Sequence, residues 1–442
     1  MSRIVEARLF QGTRDILPSE ALPRQELVDT LVRVFQSFGF APLETPAMEY
    51  LDILLGKYGE EGDKLIYKLA YKGGEVLALR YDLTVPLSRV MAMNPDLPLP
   101  FKRYQIQPVW RADRPQPAQG RFREFIQCDV DTIGTKSLAA DAENVAVVHG
   151  GILALGISDF VVRINNRKIL RGLVEFAGMG REQEAPLFRI IDKLDKIGMD
   201  GVQEELQASG LPEKPVAEVL AVMDLAGGPR EILAEASNRL RGIPIAMEGL
   251  LELQEVLDGA EALGVPLARV GVDLHLTRGL DYYTGPIYEV NLVGVENFGS
   301  LGGGGRYDDL MSLYGGVCLP GTGVSIGLSR VLSALLKLNL LKAKSSPSSV
   351  LVMRFPDTEL AEALRLSAEL RADGIATEVH FEADRLKKQF QLAERKGIPV
   401  AAILGSTEVA EGTVNLKLLS TGEQRTVPRS EASQQIRAWI QA

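Results

Sequence analysis

Apolar residues recur at helical spacing over residues 21–38, where Leu22, Leu27, Leu31, Val34, Phe35 and Phe38 mark one face and Gly39 marks the stop. The next segment, Phe40-Ala-Pro-Leu-Glu-Thr-Pro46, predicts extended chain, and its two prolines put it at a sheet edge or against another chain. Residues 64–82 predict two strands about a turn at Lys72-Gly73-Gly74, ending in Leu79-Arg-Tyr-Asp82. A helix is predicted over residues 85–93. Residues 100–133 predict a strand to Arg111, a long loop, and a second strand over 122–133. In that second strand Phe125, Gln127, Asp129, Asp131 and Ile133 share one face, and Ile126, Cys128, Val130 and Thr132 share the other. A mostly polar face in an apolar chain is either solvated or the wall of a pocket, and the pattern alone leaves both open.

An apolar helix is predicted over residues 141–155 and a short strand over 160–164. Residues 168–265 carry a helical pattern with no strand signal and breaks at Gly210, Gly227-Gly228 and Gly242, which predicts a helical insertion. Sheet resumes at Val270 and continues through Arg278-Gly-Leu-Asp-Tyr-Tyr-Thr-Gly-Pro-Ile-Tyr-Glu289. After Gly285-Pro286 that stretch alternates, with Tyr288, Val290 and Leu292 against Ile287, Glu289 and Asn291. Leu301-Gly-Gly-Gly-Gly-Arg306-Tyr307-Asp308 follows, and Gly321-Thr-Gly-Val-Ser-Ile-Gly-Leu-Ser-Arg330 leads into a helix whose predicted buried stripe is Val331, Leu332, Leu335 and Leu336. Lys344-Ser-Ser-Pro-Ser-Ser349 has the composition of a linker. Beyond it strands (350–355, 377–381, 400–404) alternate with helices (358–372, 384–396), the pattern of a small α/β domain with parallel strands. The hairpin-rich part before the linker predicts a mainly antiparallel sheet.

A chain of 442 residues suggests two to four domains and a sizeable core. A net charge of −9 does not announce a nucleic-acid binder, although a local basic surface would suffice. Cys128 and Cys318 are too few for a disulfide framework or a zinc site, which fits a reducing compartment. The polar N-terminus lacks a signal-peptide core and no apolar run is long enough to span a bilayer, so a cytoplasmic protein is expected. The chain has no HExxH, no CxxC and no Walker-type phosphate loop, and His149, His275 and His380 are far apart. Gly323-Val-Ser325-Ile-Gly327 fits the nucleophile-elbow pattern, but only His380 follows it, beyond the linker. These glycines are better explained as letting a strand pass close to a ligand.

What remains is a surplus of arginines on loops and strands: Arg111, Arg121, Arg123, Arg278, Arg306 and Arg330. Arginine is suited to bidentate clamping of phosphate oxygens. Phe125 and an arginine plane could sandwich a purine. Asp82 and Asp131, with Gln127 and Tyr283, could grip a small cationic molecule. Grips for a triphosphate beside grips for an amine suggest ATP-driven activation of an amino acid. A surface hairpin with a solvated Arg278–Asp281 pair is the plainer reading of the 278–289 stretch.

With these motifs in place the chain resembles, over essentially its whole length, the histidyl-tRNA synthetases, a family of class II aminoacyl-tRNA synthetases. Gln11-Gly-Thr-Arg-Asp-Ile-Leu-Pro resembles the family's N-terminal segment, Phe38–Pro46 its motif 1, residues 109–131 its motif 2 and residues 323–330 its motif 3. RGLDYYTGPIYE and GGGGRYDDL resemble the two histidine-specific signatures. The resemblance implies an α+β fold with an antiparallel catalytic sheet. It divides the chain into a catalytic domain (1–167 and 266–343), a helical insertion (168–265), a linker (344–349) and an anticodon-binding-like α/β domain (350–442).

The resemblance also implies roles. Arg111 and Arg278 would be catalytic, facing each other across the α-phosphate. Arg330 would pack on adenine and reach the γ-phosphate, Asp113 would read the adenine amino group, Phe125 would stack on the ring and Arg121 would touch the terminal phosphates. Asp82, Thr84 and Gln127 would take the α-amino group of histidine, Asp131 and Tyr283 its imidazole nitrogens, and Tyr282 and Tyr307 would line the same pocket. ATP is the implied substrate, with Mg2+ carried on its phosphates and no dedicated metal site on the protein. The implied partners are L-histidine, histidine tRNA and a second copy of the chain, with no membrane. Aspartate stands at 82, 113 and 131 where many bacterial members carry glutamate. The competing expectation is a non-catalytic histidine-sensing regulatory subunit of ATP phosphoribosyltransferase, whose members typically lack the C-terminal domain.

Overall fold

The computed structural model describes residues 6–55, 62–71, 73–191, 193–211, 213–277, 282–295, 298–310, 312, 318–341, 346–382 and 384–441. Lys72, Arg278 and Asp281, all named above, lie outside the described residues. The chain divides into two compact units, residues 1–14 with 27–340, and residues 15–26 with 341–442.

The first unit is built on an eight-stranded sheet. Its strands are β1 (Ala41–Pro42), β5 (Phe101–Trp110), β6 (Glu124–Ile133), β7 (Phe160–Asn166), β8 (Val270–Val272), β9 (Pro286–Leu292), β10 (Gly302–Arg306) and β11 (Gly321–Gly327). Their spatial order is β1-β5-β6-β11-β10-β9-β7-β8. The pairings are antiparallel except at the two edges, where β1–β5 and β7–β8 run parallel. β2 (Met48–Tyr50), β3 (Lys68–Leu69) and β4 (Leu77–Leu79) form a separate small sheet. The helix Pro18–Ser37 stops where expected, because Gly39 adopts φ of 80° and lets Phe40 N–H return to the Phe35 carbonyl (3.1 Å).

Between β7 and β8 the described residues form helices and turns, the longest being Pro244–Ala262. The helix Leu328–Lys337 buries Leu328, Val331, Leu332, Ala334 and Leu335. Leu336, predicted for that stripe, is instead 52% exposed. It lies about 100° round the helix from Leu335, whereas Leu328 shares a face with Leu332 and Leu335. In the second unit the sheet order is β13-β12-β14-β15-β16, with β12 Val350–Arg354, β13 Thr377–Val379, β14 Val400–Leu404, β15 Thr413–Leu418 and β16 Gln424–Pro428. Only β12, β13 and β14 are parallel; β15 and β16 add an antiparallel hairpin that the sequence reading did not anticipate. Of the expected linker, Ser346 and Ser348 are buried and Ser349 N–H donates to the Ala376 carbonyl (2.8 Å).

Arg306 does not serve as a phosphate grip. It is 4% exposed and forms an ion pair with Asp141, whose other oxygen accepts from the Tyr288 and Thr322 hydroxyls. Its guanidinium also donates to the carbonyls of Thr135 (3.2 Å) and Ser137 (3.1 Å), so one side chain ties β10 to the entry of the helix Ala139–Ala154. Removing one partner of a buried pair leaves the other charged and unsolvated. Arg306→Ala should therefore lower the unfolding free energy by about 3–5 kcal/mol, read from urea denaturation; a loss well under 1 kcal/mol would refute this role.

Candidate active site

The central strands carry the site. Cross-strand register sets Gln127 opposite Gly327, Asp129 opposite Ser325 and Asp131 opposite Gly323 on β11, and sets Arg103 opposite Asp131 on β5. The polar face of β6 is not solvated: Gln127, Asp129 and Asp131 are 8%, 3% and 3% exposed. They line a cleft of about 510 Å³. The cleft also gathers Asp82, Thr84, Arg111, Asp113, Arg121, Phe125, Tyr282, Tyr283, Tyr307 and Arg330. Gln127 and Ser325, 198 positions apart, and Asp131 and Tyr307, 176 apart, thus meet because β11 lies between β6 and β10. Every expected site residue among those described is there.

Three glycines make the room. A Cβ on Gly323 would collide with the Asp131 carboxylate, one on Gly305 would lie 2.8 Å from the Tyr283 ring, and one on Gly321 would lie 2.6 Å from the Tyr307 ring. Asp131 accepts from the Tyr307 hydroxyl and sits 2.7 Å from the Arg103 guanidinium. Tyr282 packs edge-on to Tyr307 with ring centroids 5.9 Å apart, and against Tyr283 at 4.9 Å. Asp82 Oδ1 accepts the Val85 N–H (3.1 Å) at the start of the helix Thr84–Met93. Gln127 donates to the Ser325 hydroxyl (3.0 Å). Ser325 is therefore a polar wall of the cleft bonded to an amide, and His380 pairs with Asp384 (3.0 Å), so each side chain has a partner other than the one a nucleophile elbow requires.

Arg111 is held in advance of any ligand. Its Nε donates to the Tyr81 carbonyl (3.0 Å), and the guanidinium lies 4.4 Å from the Tyr81 ring and 5.2 Å from the Phe125 ring. The loop between β5 and β6 is a small hairpin, closed by a bridge between Gln116 and Arg121. Gly120 turns it at φ of 69°, and a Cβ there would lie 2.8 Å from the Ser329 carbonyl oxygen. Arg123 ties this loop to the N-terminal segment, donating to the carbonyls of Asp113 (3.1 Å) and Gln11 (3.0 Å). Arg330 donates to the Ser300 carbonyl and lines the same cleft.

Two buried residues of the site were missed as candidates. Asp129 had been placed on the polar face but given no role, and Arg103 had not been singled out; only the β5–β6 register exposes its pairing. Burial, opposed by Arg103, pushes the Asp129 carboxyl up to about 7. Burial pushes Asp131 up too, opposed by Arg103 and by the Tyr307 hydroxyl. The Tyr282 and Tyr307 phenols stand well above their ordinary value, first through burial and then through Tyr283 and Asp82, and through Asp131, respectively.

A carboxyl at about 7 in the folded protein against 3.8 ordinarily binds its proton more tightly when folded. Its contribution to stability is complete below the lower value, declines through the interval and is lost above the upper one. Asp129→Asn cannot titrate, so its urea midpoint relative to the parent protein should rise between about pH 4 and about pH 8. A difference that stays flat over that range would contradict the assignment.

Comparison with known proteins places this geometry. Residues 12–331 match the family model described as histidyl-tRNA synthetase, and residues 349–439 match the anticodon binding domain. A histidine–tRNA ligase of Cytophaga hutchinsonii is 43% identical, the alignment covering 96% of this chain and 98% of that protein. The crystal structure of histidyl-tRNA synthetase from Nostoc sp. PCC 7120 superposes with a TM-score of 0.88 at 36% identity, covering 98% of this chain and 100% of that one. A Bacillus halodurans structure described as an ATP phosphoribosyltransferase regulatory subunit/histidyl-tRNA synthetase gives a TM-score of 0.72 at 22% identity over 90% of this chain and 99% of its own, a likeness of fold alone. With its cleft, its signatures and both of its units accounted for, the chain belongs to the histidyl-tRNA synthetase family.

Proposed function

We infer that the protein is a histidine–tRNA ligase, which joins histidine to AMP at the expense of ATP and passes it to the 3′ end of histidine tRNA. The observation that supports this best is the meeting, in one cleft, of a pre-fixed arginine (Arg111) with a buried acid flanked by tyrosines (Asp131, Tyr283, Tyr307). The regulatory-subunit alternative has less behind it, since the protein carrying that description shares the fold at 22% identity while residues 349–439 match an anticodon binding domain.

In the proposed mechanism the histidine carboxylate attacks the α-phosphorus of ATP. A P–O bond forms, the bond to the β-phosphate oxygen breaks, and pyrophosphate leaves. Arg111 meets the charge that builds on the α-phosphoryl oxygens. Because Tyr81 and Phe125 already hold its guanidinium, little reorganisation is needed in the transition state. Arg278 is proposed to act from the other side of the phosphate, on resemblance alone. Phe125 and Arg330 take the adenine faces, Asp113 its amino group and Arg121 the terminal phosphates. Asp82, Thr84 and Gln127 hold the α-amino group, and Asp131 and Tyr283 the imidazole nitrogens, with Tyr282 and Tyr307 lining the pocket. A side chain without a matching N–H group would leave the remaining acceptor capacity of buried Asp131 unfilled, which discriminates against it. The terminal ribose hydroxyl of the tRNA then attacks the acyl carbon and AMP departs.

Mg2+ is proposed to arrive on the polyphosphate as part of the substrate, since it favours phosphate oxygens and water over all-protein cages. A homodimer across the motif 1 segment is proposed because β1 is a two-residue, exposed edge strand containing Pro42, followed by Met48 and Tyr50 at 57% and 50% exposure. The helix Leu386–Lys396, with Lys387, Lys388 and Arg395, is the proposed RNA-facing element of the second unit. Among the described residues no helix is long and apolar enough to cross a membrane, and a cytoplasmic site of action is proposed.

Histidine-dependent exchange of pyrophosphate into ATP tests the reading; folded protein that gives no exchange would overturn it. Arg111→Ala should lower the exchange rate by about 10²–10³-fold, by analogy with the loss of one oxyanion donor. A change of only a few fold would show that Arg111 does not face the reacting phosphate.

A further inference from the structure

Arg103 is fully buried, yet among the described residues its Nη2 has only the Leu83 carbonyl (3.2 Å) and Asp131 (2.7 Å) as partners, and its Nε and Nη1 have no hydrogen-bond partner. Burying a guanidinium so sparsely satisfied is costly, and an apolar side chain of like volume would generally serve stability as well or better. The residue needs a reason beyond packing. Its place supplies one, because it stands directly behind Asp131, on the neighbouring strand.

The Tyr307 hydroxyl occupies one oxygen of Asp131 and Arg103 lies against the other. A carboxylate offers about four lone-pair sites, so these two contacts do not exhaust its capacity to accept. β11 supplies only Gly323 at this point, and Asp131 is one of the residues lining the cleft. Among the described residues, the charged and titratable groups around Asp131 are Arg103 from β5, Asp129 from its own strand, Tyr307 following β10, Tyr282 edge-on to Tyr307, Tyr283 packed on Tyr282, and Asp82 ahead of the helix Thr84–Met93. Arg103 is the cation among them.

We propose that Arg103 is a positioning residue for histidine selection: it holds Asp131 as a fixed, ionised acceptor for an imidazole N–H, and its charge balances that of Asp131 so that the pocket takes a neutral imidazole rather than a cationic side chain. The inference rests on the ligase reading above. Asp131 touches the substrate; Arg103 acts through it. Without the guanidinium, Asp131 takes up a proton more readily and presents a hydroxyl where an acceptor is needed.

Wild-type pyrophosphate exchange is measured first. No histidine-dependent exchange overturns the ligase reading itself, whereas normal exchange leaves the inference to the variants. Arg103→Met should raise KM for histidine by roughly 30-fold or more while KM for ATP stays within about threefold. The acid limb of kcat/KM for histidine should move up by about one pH unit or more. Arg103→Lys, which keeps the cation, should leave the acid limb in place and bring KM for histidine back to within about tenfold of wild type. A purely structural role would lower the folded fraction and move neither KM nor the limb, and that result overturns the inference. If Arg103→Met does not fold, calorimetric titration of histidine into Arg103→Lys and Arg103→Gln makes the same comparison; binding kept by lysine and lost by glutamine supports the proposal, and equal affinities overturn it.

Discussion

The site depends on one constraint: acids placed on the central strand of a sheet must be kept there without water. β6 carries Gln127, Asp129 and Asp131 on one face, and β5, β6 and β11 enclose them. Three buried acids meet cations or hydroxyls supplied by other elements. Asp131 draws on Arg103 and Tyr307, Asp129 on Ser325 and on the same arginine at longer range, and Asp141, beneath them, on Arg306, Tyr288 and Thr322. Desolvation would drive all three toward the neutral form, and the cationic and hydroxyl partners oppose it. Asp129 is displaced to about 7.

Two buried arginines of this layer divide the labour. Arg306 is spent on architecture: it locks β10 to the helix Ala139–Ala154 and so fixes the backbone from which Tyr307 enters the cleft. Arg103 serves the recognition side through its pair with Asp131. Arg111 stands between interior and cleft, with its inner edge on the Tyr81 carbonyl and its faces toward two rings. Pre-fixing of this kind favours stabilisation of developing charge over tight ground-state binding. Glycine does complementary work, since the absent side chains of Gly305, Gly321 and Gly323 are what let Tyr283, Tyr307 and Asp131 occupy one layer.

Much of this was legible in the chain itself. Period-two alternation over β6 and β9, the helical stretch between β7 and β8, and the alternation of strands and helices after residue 349 are local signals, since each depends on which face of one element is apolar. The motifs carried the chemistry, because phosphate grips, ring partners and amine-binding acids have to be particular residue types. The missed hairpin β15–β16 shows the limit: β16 is largely exposed, with no apolar stripe to announce it, and it pairs only because β15 is already docked.

The sequence by itself determined the elements, the family signatures and the chemical character of the cleft, because these follow from side-chain type and short-range periodicity. Tertiary structure decided which polar residues meet. Arg306 and Arg111 look alike in the chain, yet one is buried against Asp141 and the other faces the cleft. The polar face of β6 could have been solvated; in the fold Gln127, Asp129 and Asp131 are buried and line the cleft. The Arg103–Asp131 pair exists only once β5 and β6 are in register. Each of these depends on contacts between residues distant in sequence, and charge acquires its meaning in a protein from the burial and partners that such contacts create.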